Sequence, residues 1–548
     1  MDRAFAAALI VSLAGAFVAV GYFDDRRWIR QLRARLIYGI PVGSVLVVLG
    51  LLGVYLFLQR GFWTWDDPLV VPFRAWSYLY PTGMLTAGFT HASPSHLIGN
   101  LSATVVLAPL VEYLWGHYPR SDGGRSTCRD DALWRIPIVR AALIFPGVTL
   151  VVGILTAAFS LGPVIGFSAV VFAYAGFAVV IRPLLTLVAV LAIGGVRVVY
   201  RALKEPVVVA AATPSPPTVP GWAEVAIQGH AIGFLFGIFL GVALAHRRGT
   251  RPSPGRFFVA VILYAISQQL WAVYRYAGND TYVLYRAGGV ILVVLVALVL
   301  VGAVVGSKRP LPAVGHFEIV PTRRQTAMVA VGLILATLIG PAIPLNLSTD
   351  TADPPPINES VAVGDYTVTY QEEVRNRIVP VIEAPGFELA AINTSGVIVS
   401  SDRRHVWTQQ ISASRLASTG HETVTVGGVG WSETVDVDRT GWDVLGGETV
   451  YTVDLTADNR TVQAFASDAS TSTVYVDDHR FQLFVAEDGE FALRIRSPNE
   501  TTVTRLPARN ETVVVDWLTI TVSSLQNGPT VVVNHNGTRT PIATKERY

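Results

Sequence analysis

The segment GPVIGFSAVVFAYAGFAVVI, residues 162–181, decides what kind of fold this chain adopts. It passes without a charged side chain, and a hydrocarbon layer about 30 Å thick asks for roughly twenty such residues. Ser168, Phe172 and Gly176 recur every four residues, so a helix here presents them on one face. The segment therefore predicts a membrane crossing over 165–181, opened by a Gly-Pro turn, with a serine near its start.

Nine more runs of this kind surround it, near 4–23, 36–59, 96–115, 137–160, 184–200, 222–245, 256–274, 286–306 and 325–345. The composition agrees. Of 548 residues, 51% are hydrophobic and only 15% are charged, against about 25% charged in ordinary soluble domains. A soluble cytosolic enzyme is excluded. A single cysteine also excludes a disulfide framework and any thiolate metal site.

The formal net charge of +2 conceals two unlike halves. Residues 346–548 carry 27 acidic against 15 basic side chains, whereas residues 1–345 carry 13 against 27. Loops on alternate sides of the ten crossings hold 18 and 7 Lys+Arg. Arg26, Arg27, Arg30, Arg33 and Arg35 stand on the richer side, which the positive-inside rule makes cytoplasmic. Ten crossings that start outside also end outside. The reading is a multi-pass cell-membrane protein whose N-terminus and residues 346–548 are exterior.

That exterior half opens with Asp353-Pro354-Pro355-Pro356 and continues in short runs of Val, Thr, Ile and Tyr with period-two alternation. Asp365–Tyr370, Glu422–Val426 and Thr512–Val522 read as strands, and Asp488-Gly489 and Asn527-Gly528 as hairpin turns. The expectation is one or two β-sandwiches with no long helix. Asn-x-Ser/Thr acceptors for glycans lie at Asn346, Asn358, Asn393, Asn459, Asn499, Asn510 and Asn536, with Asn279 in another exterior loop.

Polar groups inside crossings are expensive and point to function. Besides Ser168 there are His230, followed by Gly233, Gly237 and Gly241, and the pair His96 and Asn100. Small residues four apart let membrane helices approach closely, so the Ser168 helix can dock on the His230 helix. A serine becomes a nucleophile when a neutral imidazole takes its proton. His96 and Asn100 share a helical face, and both can donate hydrogen bonds to an oxyanion. Singly, each feature has a plainer reading. A membrane serine packs or bonds backbone, a histidine serves a proton path or metal site, and a glycine stripe packs. His91 reads as a solvated loop residue and Glu112 as the partner of a nearby loop.

Taken together, His96-x-x-x-Asn100, Gly166-x-Ser168 and His230-x-x-Gly233-x-x-x-Gly237, in that order on alternate helices, resemble the rhomboid family of intramembrane serine proteases. Glu112-x-x-x-Gly116 matches the family's end of its helix. Ala169 stands where many members have glycine, Phe172 where an aromatic, often tyrosine, packs beneath the histidine. Gly83-Met84-Leu85 replaces the Trp-Arg pair before Thr86, and the nearest basic residue is Arg74. The resemblance covers roughly residues 36–245.

It implies a six-helix protease core over 36–245, a Ser168–His230 dyad, oxyanion stabilisation by His96 and Asn100, and neither cofactor nor metal. Outside it lie residues 1–35 (one extra helix and an Arg-rich cytoplasmic loop), 246–345 (three more helices) and 346–548 (the acidic β-rich domain). The fold expected is a polytopic α-helical membrane protein, a rhomboid-like core plus extra helices, with a sandwich-like all-β exterior domain. The expected partners are transmembrane protein substrates and the lipid bilayer, and nucleic acid is not among them. A rhomboid-like pseudoprotease that binds membrane proteins is the alternative. A transporter or receptor would instead show charges at mid-membrane depth, which are almost absent.

Overall fold

The computed structural model describes residues 27–118, 133–203, 226–278, 281–306, 322–347, 359–377, 383–384, 387–388, 393–498, 500–509, 511–525 and 528–548, with parts of 7–19 and 220–221. Most of the run 4–23, the 353–356 joint, and Asn279, Asn358, Asn499, Asn510 and Asn527 lie outside the described residues. The chain forms two compact units, the first built from residues up to Thr349 apart from two short segments, the second chiefly from Asp350–Tyr548.

In chain order the apolar helices of the first unit are α1 (Val42–Leu58), α2 (Pro94–Trp115), α3 (Pro137–Ala158), α4 (Ser168–Ile181), α5 (Pro183–Ala202), α6 (Ile227–Arg247), α7 (Pro254–Ser267), α8 (Arg286–Val305) and α9 (Arg323–Leu347). Six of them, α2, α3, α5, α6, α8 and α9, are long and apolar enough to cross a membrane. Leu191 on α5, Leu295 on α8 and Leu333 on α9 are exposed. Apolar surface of this extent suits a hydrocarbon solvent, so the helices are compatible with a multi-pass membrane protein.

Three expected crossings are shorter in the structure: the run 36–59 forms an apolar helix only over Val42–Leu58, 256–274 ends as helix at Ser267, and 165–181 is helical only from Ser168. With 14 residues, α4 spans about 21 Å at 1.5 Å per residue, less than a hydrocarbon layer. Every residue of α4 from Ala169 to Val180 is buried, so α4 is apolar all round because helices surround it.

The α4–α6 seam is made by glycines. A Cβ on Gly233 would overlap the Ala169 carbonyl, one on Gly237 the Ala173 carbonyl, and one on Gly176 the Phe234 carbonyl. Backbone cannot yield as a side chain can, so the two helices hold this spacing only with glycine there. Around the seam, Leu107 of α2, Ile238 of α6, Phe257 and Tyr264 of α7 and Leu300 of α8 complete one apolar core.

At the far end of the bundle, Glu112 is fully buried. It accepts from the Gly43 and Ser44 amides that open α1 (2.8 and 2.7 Å), from the Ser44 hydroxyl (2.6 Å), and meets His117 at 2.6 Å. A carboxylate suits a helix N-terminus, and Glu112 bonds the start of α1 as well as His117 in the loop after α2. Arginines from three segments cap the C-terminus of α2. Arg248 donates to the Leu114 and Trp115 carbonyls (both 2.7 Å) and Arg140 to Gly116 (3.1 Å). Arg35 reaches the Leu114 carbonyl at 3.4 Å. Arg35 and Arg248 of the arginine-rich set thus meet Arg140 of α3 at one helix end.

The second unit is all-β apart from Ala413–Thr419, a short helix capped by Ser412 and ended by Gly420 at φ 71°. A four-stranded antiparallel meander runs β1 (Ser360–Val363), β2 (Tyr366–Arg375), β3 (Asn393–Ser401), β4 (Val406–Ser412). Next come β5 (His421–Gly428), β6 (Trp431–Val444), β7 (Thr449–Ala457) and β8 (Arg460–Ala466). A second meander is β9 (Ser470–Val476), β10 (His479–Val485), β11 (Phe491–Arg496), β12 (Thr501–Arg505). The chain closes with β13 (Thr512–Val515), β14 (Leu518–Leu525), β15 (Gly528–His535) and β16 (Thr538–Lys545).

The large sheet has the order β8-β7-β6-β16-β15-β14-β13, with β5 also on β6. Phe481, Leu483, Leu493 and Ile495 of the second meander pack with Leu518, Ile520, Val531 and Val533 of the large sheet. Two sheets facing across alternating side chains form a sandwich. Thr512–Val522 is not one strand. Asp516, at φ 53°, turns the chain between β13 and β14, and nothing in the period-two pattern marks that reversal. The Asp488-Gly489 turn falls between β10 and β11, with Gly489 at φ 85°.

Candidate active site

Ser168 is the first residue of α4, and His230 lies in the first turn of α6. Because the glycine seam fixes the spacing of these helices, both side chains sit at one depth. The Ser168 Oγ and the His230 Nε2 are 2.6 Å apart. His230 is 7% exposed, and its Nδ1 has no partner among the described residues. The Phe172 ring, one turn below Ser168, stacks on the imidazole at 4.3 Å and 13°. An imidazole pinned between a hydroxyl and an aromatic face can take the serine proton and bear the resulting positive charge.

The approach to Ser168 is shaped by Gly166. Its φ of 122° belongs to the region that glycine adopts and other residues rarely do. Its amide donates to the Ala87 carbonyl (2.8 Å). A Cβ there would come within 2.6 Å of the His96 Nε2, so His96 lies against the turn that delivers the serine. Asn100, one turn along α2, is buried, and its Nδ2 is an unpaired donor among the described residues. A buried amide without an acceptor is costly, which suits a group whose acceptor arrives with a ligand. No hydrogen bond joins His96 or Asn100 to Ser168 or His230 among the described residues.

His91 departs from the expectation of a solvated loop residue. It is fully buried, because Gln59 clamps its backbone. The His91 amide donates to the Gln59 Oε1 (2.7 Å), and the Gln59 Nε2 donates to the His91 carbonyl (2.7 Å). Its ring meets that of His96 edge-on at 5.2 Å. The loop before α2 is tied down without a Trp-Arg pair. The Ala75 amide donates to Val164 (3.1 Å), the Arg74 Nη1 to Pro163 (3.4 Å) and the Trp76 indole to Val71 (2.6 Å).

Asn346, expected as a glycan acceptor, is buried. It is 1% exposed in the last turns of α9, and its amide nitrogen donates to the Ala158 and Ser160 carbonyls (3.1 and 3.3 Å). Asn393, Asn459 and Asn536 are exposed. The sequence did not single out Gln228. Two residues before His230, it bonds Phe159 and Leu161 at the end of α3 and Leu338 on α9. An amide inside an apolar run was the available signal. Tyr264 of α7, also unforeseen, meets Phe172 at 5.4 Å. Compared with family models, curated proteins and solved structures, the chain has no significant match in any of the three.

Proposed function

We propose that this protein is an intramembrane serine protease of the rhomboid type. The observation that carries the reading is the 2.6 Å pair of Ser168 and His230 across a seam that glycine alone permits. His230 Nε2 takes the Oγ proton as the oxygen bonds to a peptide carbonyl carbon, and the carbonyl π electrons move to oxygen. Asn100 and His96 donate to that oxyanion, and the face of Phe172 supports the imidazolium. As the tetrahedral adduct collapses, the C–N bond breaks and His230 returns the proton to the leaving amine. Water then enters by the same acid–base exchange, releases the acyl group and regenerates Ser168. The substrates are membrane proteins cut in or near a crossing, since the dyad lies among apolar helices.

The test is a fluorophosphonate probe on purified full-length protein. The wild type is expected to label covalently and Ser168→Ala to remain unlabelled. Labelling of both alike, or of neither while a model transmembrane substrate stays intact, overturns the reading.

A further inference from the structure

The His230 imidazole and three aromatic rings, from three helices in all, form a chain of ring contacts. His230 stacks on Phe172 of α4 (4.3 Å, 13°), and Phe172 meets Tyr264 of α7 nearly at right angles (5.4 Å, 74°). Tyr264 in turn stacks on Phe234 (5.1 Å, 9°). Phe234 is four residues beyond His230, on the same face of α6, so the chain of contacts returns to the helix it left. Phe172, Phe234 and Tyr264 are all at most 5% exposed. Such ring pairs are held in preferred offset or edge-on geometries, and each ring blocks the next from turning. The α7 helix is none of the three, α2, α4 and α6, that carry Ser168, His230, His96 and Asn100.

We infer that Tyr264 is a positioning residue for the reaction: by wedging between Phe172 and Phe234, it holds the ring on which the His230 imidazole rests. This rests on the protease reading above. Ser168 must pass its proton at one angle and distance, and a small misplacement of the acceptor lowers turnover without weakening substrate binding. The additional helix α7 is then a buttress of the catalytic centre.

The test measures kcat and KM for a dye-labelled single-span model substrate in detergent micelles, with thermal unfolding in parallel. Tyr264→Leu removes the ring and is expected to lower kcat about tenfold with KM unchanged. Tyr264→Phe keeps the ring and is expected to stay within twofold of wild type. Phe234→Leu breaks the chain of ring contacts from its other side, gives the same kcat loss, and serves if Tyr264→Leu does not fold. Phe257→Leu, a fully buried change on the same helix whose ring enters none of these pairs, is expected to lower unfolding temperature while sparing kcat.

Wild-type kcat in both Tyr264→Leu and Phe234→Leu overturns the inference, as does an equal kcat loss in Phe257→Leu. Cleavage that survives in Ser168→Ala refutes the protease reading instead.

Discussion

A serine hydroxyl is a weak nucleophile until a base takes its proton, so the chemistry proposed here hangs on one contact, Ser168 to His230. His230→Ala is therefore expected to abolish cleavage while leaving expression and membrane insertion intact. Near wild-type cutting would remove His230 from the mechanism. Asn100 plays a different part. Its unpaired, buried Nδ2 has an acceptor to gain only when charge develops, and loss of a sole oxyanion donor costs roughly 10²–10³ in kcat. Asn100→Ala should fall in kcat, and less steeply where His96 shares the charge. A raised KM at constant kcat would make Asn100 a binding residue instead.

In the β-unit, Arg404 grips Asp365 with Nε on Oδ2 (2.6 Å) and Nη2 on Oδ1 (2.7 Å). These hydrogen bonds hold the Asp365 carboxyl below its ordinary range. Its stabilisation is thus full above the unfolded value near pH 4 and is lost as pH falls through the lower, folded one. At neutral pH, Asp365→Asn is expected to cost about 1–3 kcal/mol, because the Arg404 charge loses its partner. That gap should close below about pH 4. Hydrogen exchange of the β1–β2 hairpin amides in the intact protein reads both limbs, and a gap independent of pH would contradict the assignment.

At the scale of elements, the geometry depends on how closely α4 and α6 approach. A Cβ at position 237 would overlap the Ala173 carbonyl, and relief is possible only if one helix moves. Gly237→Ala, two turns from the dyad, is expected to stretch the Ser168–His230 contact and lower kcat at least tenfold, since small misplacements cost that much. Unchanged activity would show that the seam does not set the dyad. This approach was legible in the sequence, because a four-residue repeat of small side chains has one structural meaning in an apolar helix. The sequence expectation of His96 and Asn100 beside the serine followed from the resemblance and the shared helical face.

Other features were not legible. Tyr264 meets Phe172 across three intervening helix connections, and no local pattern encodes such a contact. The brevity of α4 was hidden, because residues 162–167 are as apolar as the helix they precede. His91 was misjudged because burial of a loop depends on its clamp, here Gln59, 32 residues earlier. The Asp516 reversal escaped notice because aspartate entered a left-handed turn without the glycine that usually announces one.

At the scale of the whole molecule, the remaining prediction concerns sidedness. Arg35 and Arg248, from two cytoplasm-assigned segments, and Arg140, in the first turn of α3, converge on the C-terminus of α2. Ser168, His230 and His96 lie at the helix ends opposite to it. One end of the bundle is thus arginine-capped, and the other holds the dyad. With basic residues retained in the cytoplasm, the dyad end is expected to face outward, and the basic-residue count of the loops predicts an exterior location for residues 346–548 as well. The acidic surface of the β-unit carries no cytoplasmic retention signal against this. Single cysteines at Asn459 and Asn536, both exposed at hairpin turns, are expected to react with an impermeant maleimide on intact cells. A cysteine replacing exposed Leu133, in the loop before α3, is expected to react only after permeabilisation. Where the cell attaches N-glycans, Asn393, Asn459 and Asn536 are the exposed acceptors among the described residues, and Asn346 is expected to stay unmodified because its amide is spent inside the helical unit. Maleimide reaction at position 133 on intact cells, with protection at 459 and 536, would invert the topology. The proposed protease would then open toward the cytoplasm and draw its substrates from that face.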